Sequence, residues 1–156
     1  VTAYGSATVT ASSHVAVHVH SGYATISGGV LIDHSAVDLT DPAMWCAYHG
    51  VTVTDGIATL HKAVNDNWTT DRGTNYSPGA TPEAPDWRDN HDCGNGLHFS
   101  PWPWQAQQYH PEATKFVAVG VALADLRPIL GGTPKCKAPR VVVACREVTI
   151  DGEPIA

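Results

Sequence analysis

The chain has 156 residues, of which 43% are hydrophobic and 15% charged, and nine Lys or Arg against fifteen Asp or Glu give a net charge of −6. So few basic residues cannot build a field for phosphates, which argues against generic nucleic-acid binding. No apolar run reaches the ~18 residues of a membrane-spanning helix, and the hydrophobic fraction is too high for a disordered chain, so the length fits one domain or one domain with an appendage.

The charge is unevenly placed. No Lys or Arg precedes Lys62, and residues 1–61 hold six of the nine His and four Asp. The chain starts at Val1 and its only Met is Met44, as expected of a piece cut from a longer protein.

The first segment repeats. Residues 6–13, 14–22, 23–29 and 30–35 are alternating runs of seven to nine residues or slightly fewer, each closed by Ser or Gly. Alternation puts Val15, Val17 and Val19 on one face of a strand and Ala16, His18 and His20 on the other. A β-meander and a narrow β-solenoid both fit. The small side chains Ala3, Ala7, Ala11, Ala16 and Ala24 favour the solenoid, whose coils bury their faces only against neighbours. Further units upstream are expected on this reading.

Thr40 or Asp41 before Pro42, with a stop at Gly50, predicts a helix of about two turns. Val51–Lys62 with Asp55-Gly56 at its centre predicts a β-hairpin with a two-residue turn. Residues 65–96 are poor in aliphatics and rich in turn formers, a long loop that Trp68, Tyr76 and Trp87 would pin to the body. Leu97–Ser100 predicts a short strand. Pro101–Tyr109 predicts a short helix capped by Ser100. Lys115–Leu123 predicts a strand, and Lys137–Ile150 a final strand or pair with Val141, Val142 and Val143 near its centre.

From about Ile57 onward several motifs carry a resemblance. They are Leu60-His-Lys-Ala63, Tyr76-Ser-Pro-Gly79, Pro85-Asp-Trp87, Cys93-Gly-Asn-Gly-Leu-His-Phe99, the Ala106–Tyr109 helix and Lys135-Cys-Lys-Ala-Pro-Arg-Val141. With the Ala-Thr-Val repeats before them, they resemble an uncharacterised domain family of actinomycetes and their phages. The resemblance implies an architecture, not an activity.

Several constellations could carry chemistry. His18 and His20, two apart on a strand with His14 in the same parity, have the spacing of paired metal ligands. Cys46-x-x-His49 with His91-x-Cys93 could complete a tetrahedral zinc site; a Cys46–Cys93 disulfide and unrelated buried thiols are the alternatives. Zinc is therefore the possible cofactor. In Cys93–Ser100, two glycines allow positive φ before a strand that carries His98.

The same region loosely resembles the ADP-ribosyltransferase fold. That resemblance implies NAD chemistry with His61, His98 and Glu147 as catalytic residues: His61 orients the ribose and Glu147 stabilises the oxocarbenium-like transition state. Trp68, Tyr76, Trp87, Trp102 and Trp104 (with Tyr109) could stack sugars or make the core. Lys135, Lys137 and Arg140 read as a solvated strand face. No P-loop, dinucleotide fingerprint or Ser-His-Asp motif is present.

The expected fold is mainly β with α+β character. Residues 1–37 form short solenoid or meander strands, and residues 38–156 a compact α+β domain with two short helices and the long loop 65–96. The expected function is a non-catalytic module that caps a β-repeat array and binds a protein partner or glycan, with upstream repeats of the same chain as neighbours. The alternative is the NAD-consuming enzyme.

Overall fold

A computed structural model describes residues 1–155. The chain divides into two compact units, Val1–Asp38 and the part from Leu39 onward.

The first unit holds five short strands: β1 (Thr2–Ala3), β2 (Thr8–Thr10), β3 (Ala16–Val19), β4 (Thr25–Ser27) and β5 (Val30–Asp33). Strands β1, β3 and β5 form one parallel sheet, and β2 and β4 a second. Consecutive strands of a meander would pair antiparallel; these pair with the strand after next. Thr2 lies opposite His18 and Ala16 opposite Val30, so one coil takes 16 and then 14 residues. Each coil is thus two of the short sequence units, one strand in each sheet.

Ala3, Val17 and Val19 are buried while Ala16 is exposed, which follows the alternation. One corner requires glycine. Gly28 has φ +77°, and a Cβ there would stand 2.2 Å from the Ala11 carbonyl oxygen. Equivalent positions of successive coils stack: the Tyr4 and His20 rings are 4.8 Å apart, and His20 and His34 4.7 Å. His18 Nδ1 lies 3.0 Å from His34 Nε2. Burial, then the neighbouring His34 and His18, lower the pKa of His20.

The second unit opens with α1 (Pro42–Tyr48). Asp41 Oδ1 accepts the Met44 N–H at 2.8 Å, Pro42 starts the helix, and Gly50 follows it at φ +68°. The hairpin is β6 (Val53–Thr54) and β7 (Ile57–Val64), turning at Asp55 and Gly56, both at positive φ. Then come β8 (Leu97–Phe99), α2 (Pro103–Gln107), β9 (Lys115–Ala122), a 3₁₀ turn at Leu123–Asp125, β10 (Arg127–Ile129), β11 (Lys135–Ala138) and β12 (Val143–Val148). Two antiparallel sheets result, in the orders β12-β9-β7-β6 and β10-β11-β8. The fold is mainly β with two short helices, as expected.

Three details differ from the sequence reading. Helix α2 starts at Pro103, with Trp102 at its N-cap and the Trp102 N–H donating to Gln105 Oε1 at 3.2 Å; Ser100 instead pairs with His61. The last segment is two strands in different sheets, and Val141 and Val142 lie between them. Strand β10 had no clear sequence signal.

Register assigns the faces of the four-stranded sheet. Ala58, Leu60, Lys62 and Val64 lie opposite Val121, Val119, Val117 and Lys115 and share a face with them. That face makes the main core with Leu97, Phe99, Cys136 and Ala138 of the second sheet, Trp45 and Cys46 of α1, and Tyr76. On the other face Ala63, Phe116, Ala118 and Val148 pack against Ala106 and Ala113.

The loop 65–96 is held by its backbone as much as by its rings. Gly79 and Ala84 donate to the carbonyls of Cys145 and Pro139, and Val141 and Cys145 donate back to Pro82 and Ala80. Tyr76 is fully buried, and Lys137, expected in solvent, is also buried. Its ammonium donates to Asn90 Oδ1 and to the Gly94 carbonyl and lies 5.5 Å from the Trp87 ring centre. A buried ammonium requires such acceptors, so this lysine fastens the loop.

Candidate functional site

Strand β7 has β9 along one side and a mixed set of partners along the other. His61 exchanges two hydrogen bonds with Ser100, at 2.9 and 3.0 Å. Antiparallel alternation then turns the N–H and C=O of Thr59, His61, Ala63 and Asn65 to that same side. The Thr59 N–H donates to Thr52 and the Asn65 N–H to Thr69, both at 2.9 Å. Ala63 lies between two paired residues, and its N–H and C=O face a cleft of about 340 Å³. Strand β7 supplies His61, Lys62 and Ala63 to the lining, the loop Arg72 and Cys93, β8 His98, and β11 Lys135.

The titratable side chains here are mostly ties. His61 Nδ1 donates to the Pro101 carbonyl at 2.7 Å, and its ring stacks on Trp102 at 6.2 Å. Burial lowers its pKa against the opposing pull of the Pro101 bond, and Arg146 lowers it further. His98 Nε2 accepts the Gly94 N–H at 3.1 Å. Burial, then Lys62, Lys135 and Lys137, push His98 down to about 4. His98 is therefore a neutral acceptor that holds the Gly94-Asn95-Gly96 turn, whose three residues all have positive φ. At Gly96 a Cβ would meet the Trp87 ring at 3.0 Å. The Cys-Gly-Asn-Gly-Leu-His motif thus builds a wall of the cleft. Lys62 Nζ donates to the His98 carbonyl at 2.9 Å; burial, then Arg72, lower its pKa to about 8.

The enzyme set His61, His98 and Glu147 does not converge. His61 is in register with Ala118 and Arg146, whereas Glu147 is in register with Val117 and Lys62. Neighbouring residues of a strand point to opposite faces, so His61 and Glu147 face opposite sides of one sheet, two strand spacings (about 10 Å) apart. Glu147 is absent from the cleft lining and lies 3.5 Å from Lys115 Nζ. No single substrate atom could meet both side chains.

Neither metal set assembles: among the described residues no group of three or more His, Cys, Asp or Glu could hold a metal ion. His18 and His20 belong to the ring stack of the first unit. Cys46 is buried in the core, His49 closes α1, His91 Nδ1 donates to the Pro128 carbonyl at 2.8 Å, and exposed Cys93 lies 3.3 Å from Lys135 Nζ. All four cysteines are free thiols, so the Cys46–Cys93 bridge is absent too. Burial raises Cys46 and Cys145 to about 11 and Cys136 well above the usual thiol range.

The aromatic set also separates. Tyr76 is core, Trp68 is covered by Lys115 Nζ at 4.1 Å, and Trp87 packs on Gly96. Trp102 and Trp104 remain open to solvent, with Trp102 Nε1 donating to the His49 carbonyl at 3.3 Å.

A family model described as a domain of unknown function (DUF7666) matches residues 58–154, well over half of the chain. The chain belongs to this family. The DUF7666 region begins in β7 and contains every residue that lines the cleft. No curated protein and no solved structure matches the chain. No helix is long and apolar enough to cross a membrane.

Sequence reasoning singled out His61 and His98 but missed Ala63, Lys62 and Arg72. One signal was present. Lys62 continues the apolar face Ala58, Leu60, Val64, and a lysine in such a row needs an explanation.

Proposed function

We propose that this chain is a non-catalytic capping and interaction module at the end of a β-repeat array, binding a protein partner or glycan. One observation carries the binding part: the cleft gathers Lys62, Arg72 and Lys135, and its one carboxylate, that of Asp71, already accepts from Asn65 Nδ2. Such a site can attract and orient a charged ligand. The parallel, stacked coils of the first unit support the array part, because each coil presents a strand edge to the next. The resemblance to actinomycete and phage domains with upstream Ala-Thr-Val repeats belongs to the same reading.

The test is an assay of the full chain with NAD beside a glycan panel read by tryptophan fluorescence. The expected outcome is a saturable fluorescence change with one glycan class and no release of nicotinamide. Nicotinamide release that disappears in Glu147→Gln would overturn the reading.

A further inference from the structure

The protein carries a net charge of −6, yet three of its nine basic residues, Lys62, Arg72 and Lys135, line one cleft. Asp71 is the one carboxylate in that lining, and its Oδ1 already accepts from Asn65 Nδ2 at 3.2 Å. The ion pairs among the described residues, Lys115–Glu147 and Arg127–Asp89, both lie elsewhere. Lys62 makes the imbalance costly, because its ammonium is drawn out of water onto a single carbonyl, that of His98. Clustered cations in a partly desolvated cleft attract anions more strongly than the same charges in open water.

A second observation is independent of charge. The N–H and C=O of Ala63 face the cleft between the paired residues His61 and Asn65. Backbone polar groups in such a place require partners. The gap is one residue long, too short for an added strand, and the volume of about 340 Å³ suits a small organic molecule. The occupant is therefore compact rather than an extended peptide.

We propose that this cleft binds a compact organic anion: its carboxylate or phosphate lies among Lys62, Arg72 and Lys135, and an adjacent hydroxyl or amide pairs with the backbone of Ala63. Lys135 is positioned for this by the Cys93 thiol at 3.3 Å and the Tyr109 ring at 4.6 Å. The inference rests on the binding reading above and narrows it to a ligand chemistry.

Calorimetry of the full chain with four probes tests it: glucuronate, glucose 6-phosphate, glucose and inorganic phosphate. The first three share a ring and differ in carrying a carboxylate, a phosphate or neither. The expected result is one-to-one binding of glucuronate or of glucose 6-phosphate, at least tenfold tighter than glucose or inorganic phosphate; the better of the two identifies the anion. Arg72→Gln, in an exposed loop, and Lys62→Gln are each expected to weaken binding tenfold or more. Arg88→Gln, exposed and outside the cleft, should leave it unchanged.

Failure of both charged sugars to bind, equal binding of glucose, or insensitivity to Arg72→Gln would overturn the anion site. Spectra of the recovered ligand separate the two levels. A ligand bound and then chemically altered would sink the non-catalytic reading while sustaining the anion site. Absence of binding would sink the anion site and leave the module reading to its protein-partner form.

Discussion

His98 sits between a glycine turn on one side and three ammonium groups on the other, and both require it to be neutral. Its Nε2 must stay unprotonated to accept the Gly94 N–H, and Lys62, Lys135 and Lys137 repel a proton there. Its pKa falls from about 6.5 in the unfolded chain to about 4 in the fold, so the unfolded state binds the extra proton between those values. Stability from this residue is fully present above pH 6.5 and is lost as pH falls toward 4. Thermal melts of the full chain should show this acid limb. His98→Ala should lower stability at pH 7 by about 1–3 kcal/mol, by orphaning the Gly94 N–H, and should flatten the limb. A variant as stable as the parent at pH 7, with the limb intact, would show that the tie is not made. This role was only half legible: the sequence placed His98 on a strand after two glycines, but the lysines that fix its protonation come from β7 and β11. Lys137 shows the same limit. Read alone it is a surface lysine, and its acceptors Asn90 and Gly94 lie more than forty residues upstream.

Elements with local signals were the readable ones. Asp41-Pro42 and Gly50 bracket α1, Asp55-Gly56 turns the β6–β7 hairpin, and alternation marks β9. What escaped was long-range pairing. Helix α2 lost Ser100 as a cap because Ser100 was taken by His61, and the final valine cluster became a crossing between two sheets. Gly120 in the middle of β9 is the clearest packing consequence. A Cβ there would lie 2.4 Å from Val143 Cβ and 2.9 Å from Ile57 Cγ2. The irregular register of β12 between Val143 and Arg146 brings Val143 over this glycine. Gly120→Ala should therefore destabilise the second unit by about 1–3 kcal/mol or more. Adding Val143→Ala should recover part of the loss, which denaturant unfolding of the single and double variants would measure. Additive losses would mean that β12 does not press on β9 at this point.

At the scale of the whole molecule, the two units follow different rules. The first gains its regularity from stacking coils of similar length, so its repeat was visible in the sequence, although the coil is two units long because each turn crosses both sheets. The second is an α+β domain whose cleft arises where pairing along one side of β7 breaks off after the His61–Ser100 bridge and resumes where Asn65 meets Thr69. Nothing in the local sequence marks that gap, so Ala63 had no signal and the catalytic set drawn from His61, His98 and Glu147 was not assembled by the sheet. This gap, with its three cations, is the feature that a ligand would occupy. The most direct measurement is a ¹⁵N-resolved NMR titration of the full chain with glucuronate and with glucose 6-phosphate. The expected result is that the Ala63 amide shifts in a saturable manner together with those of Arg72 and Lys135, while the ligand stays chemically unchanged. Shifts centred on Trp102 and Trp104 with Ala63 unmoved, or no saturable shift with either sugar, would contradict it.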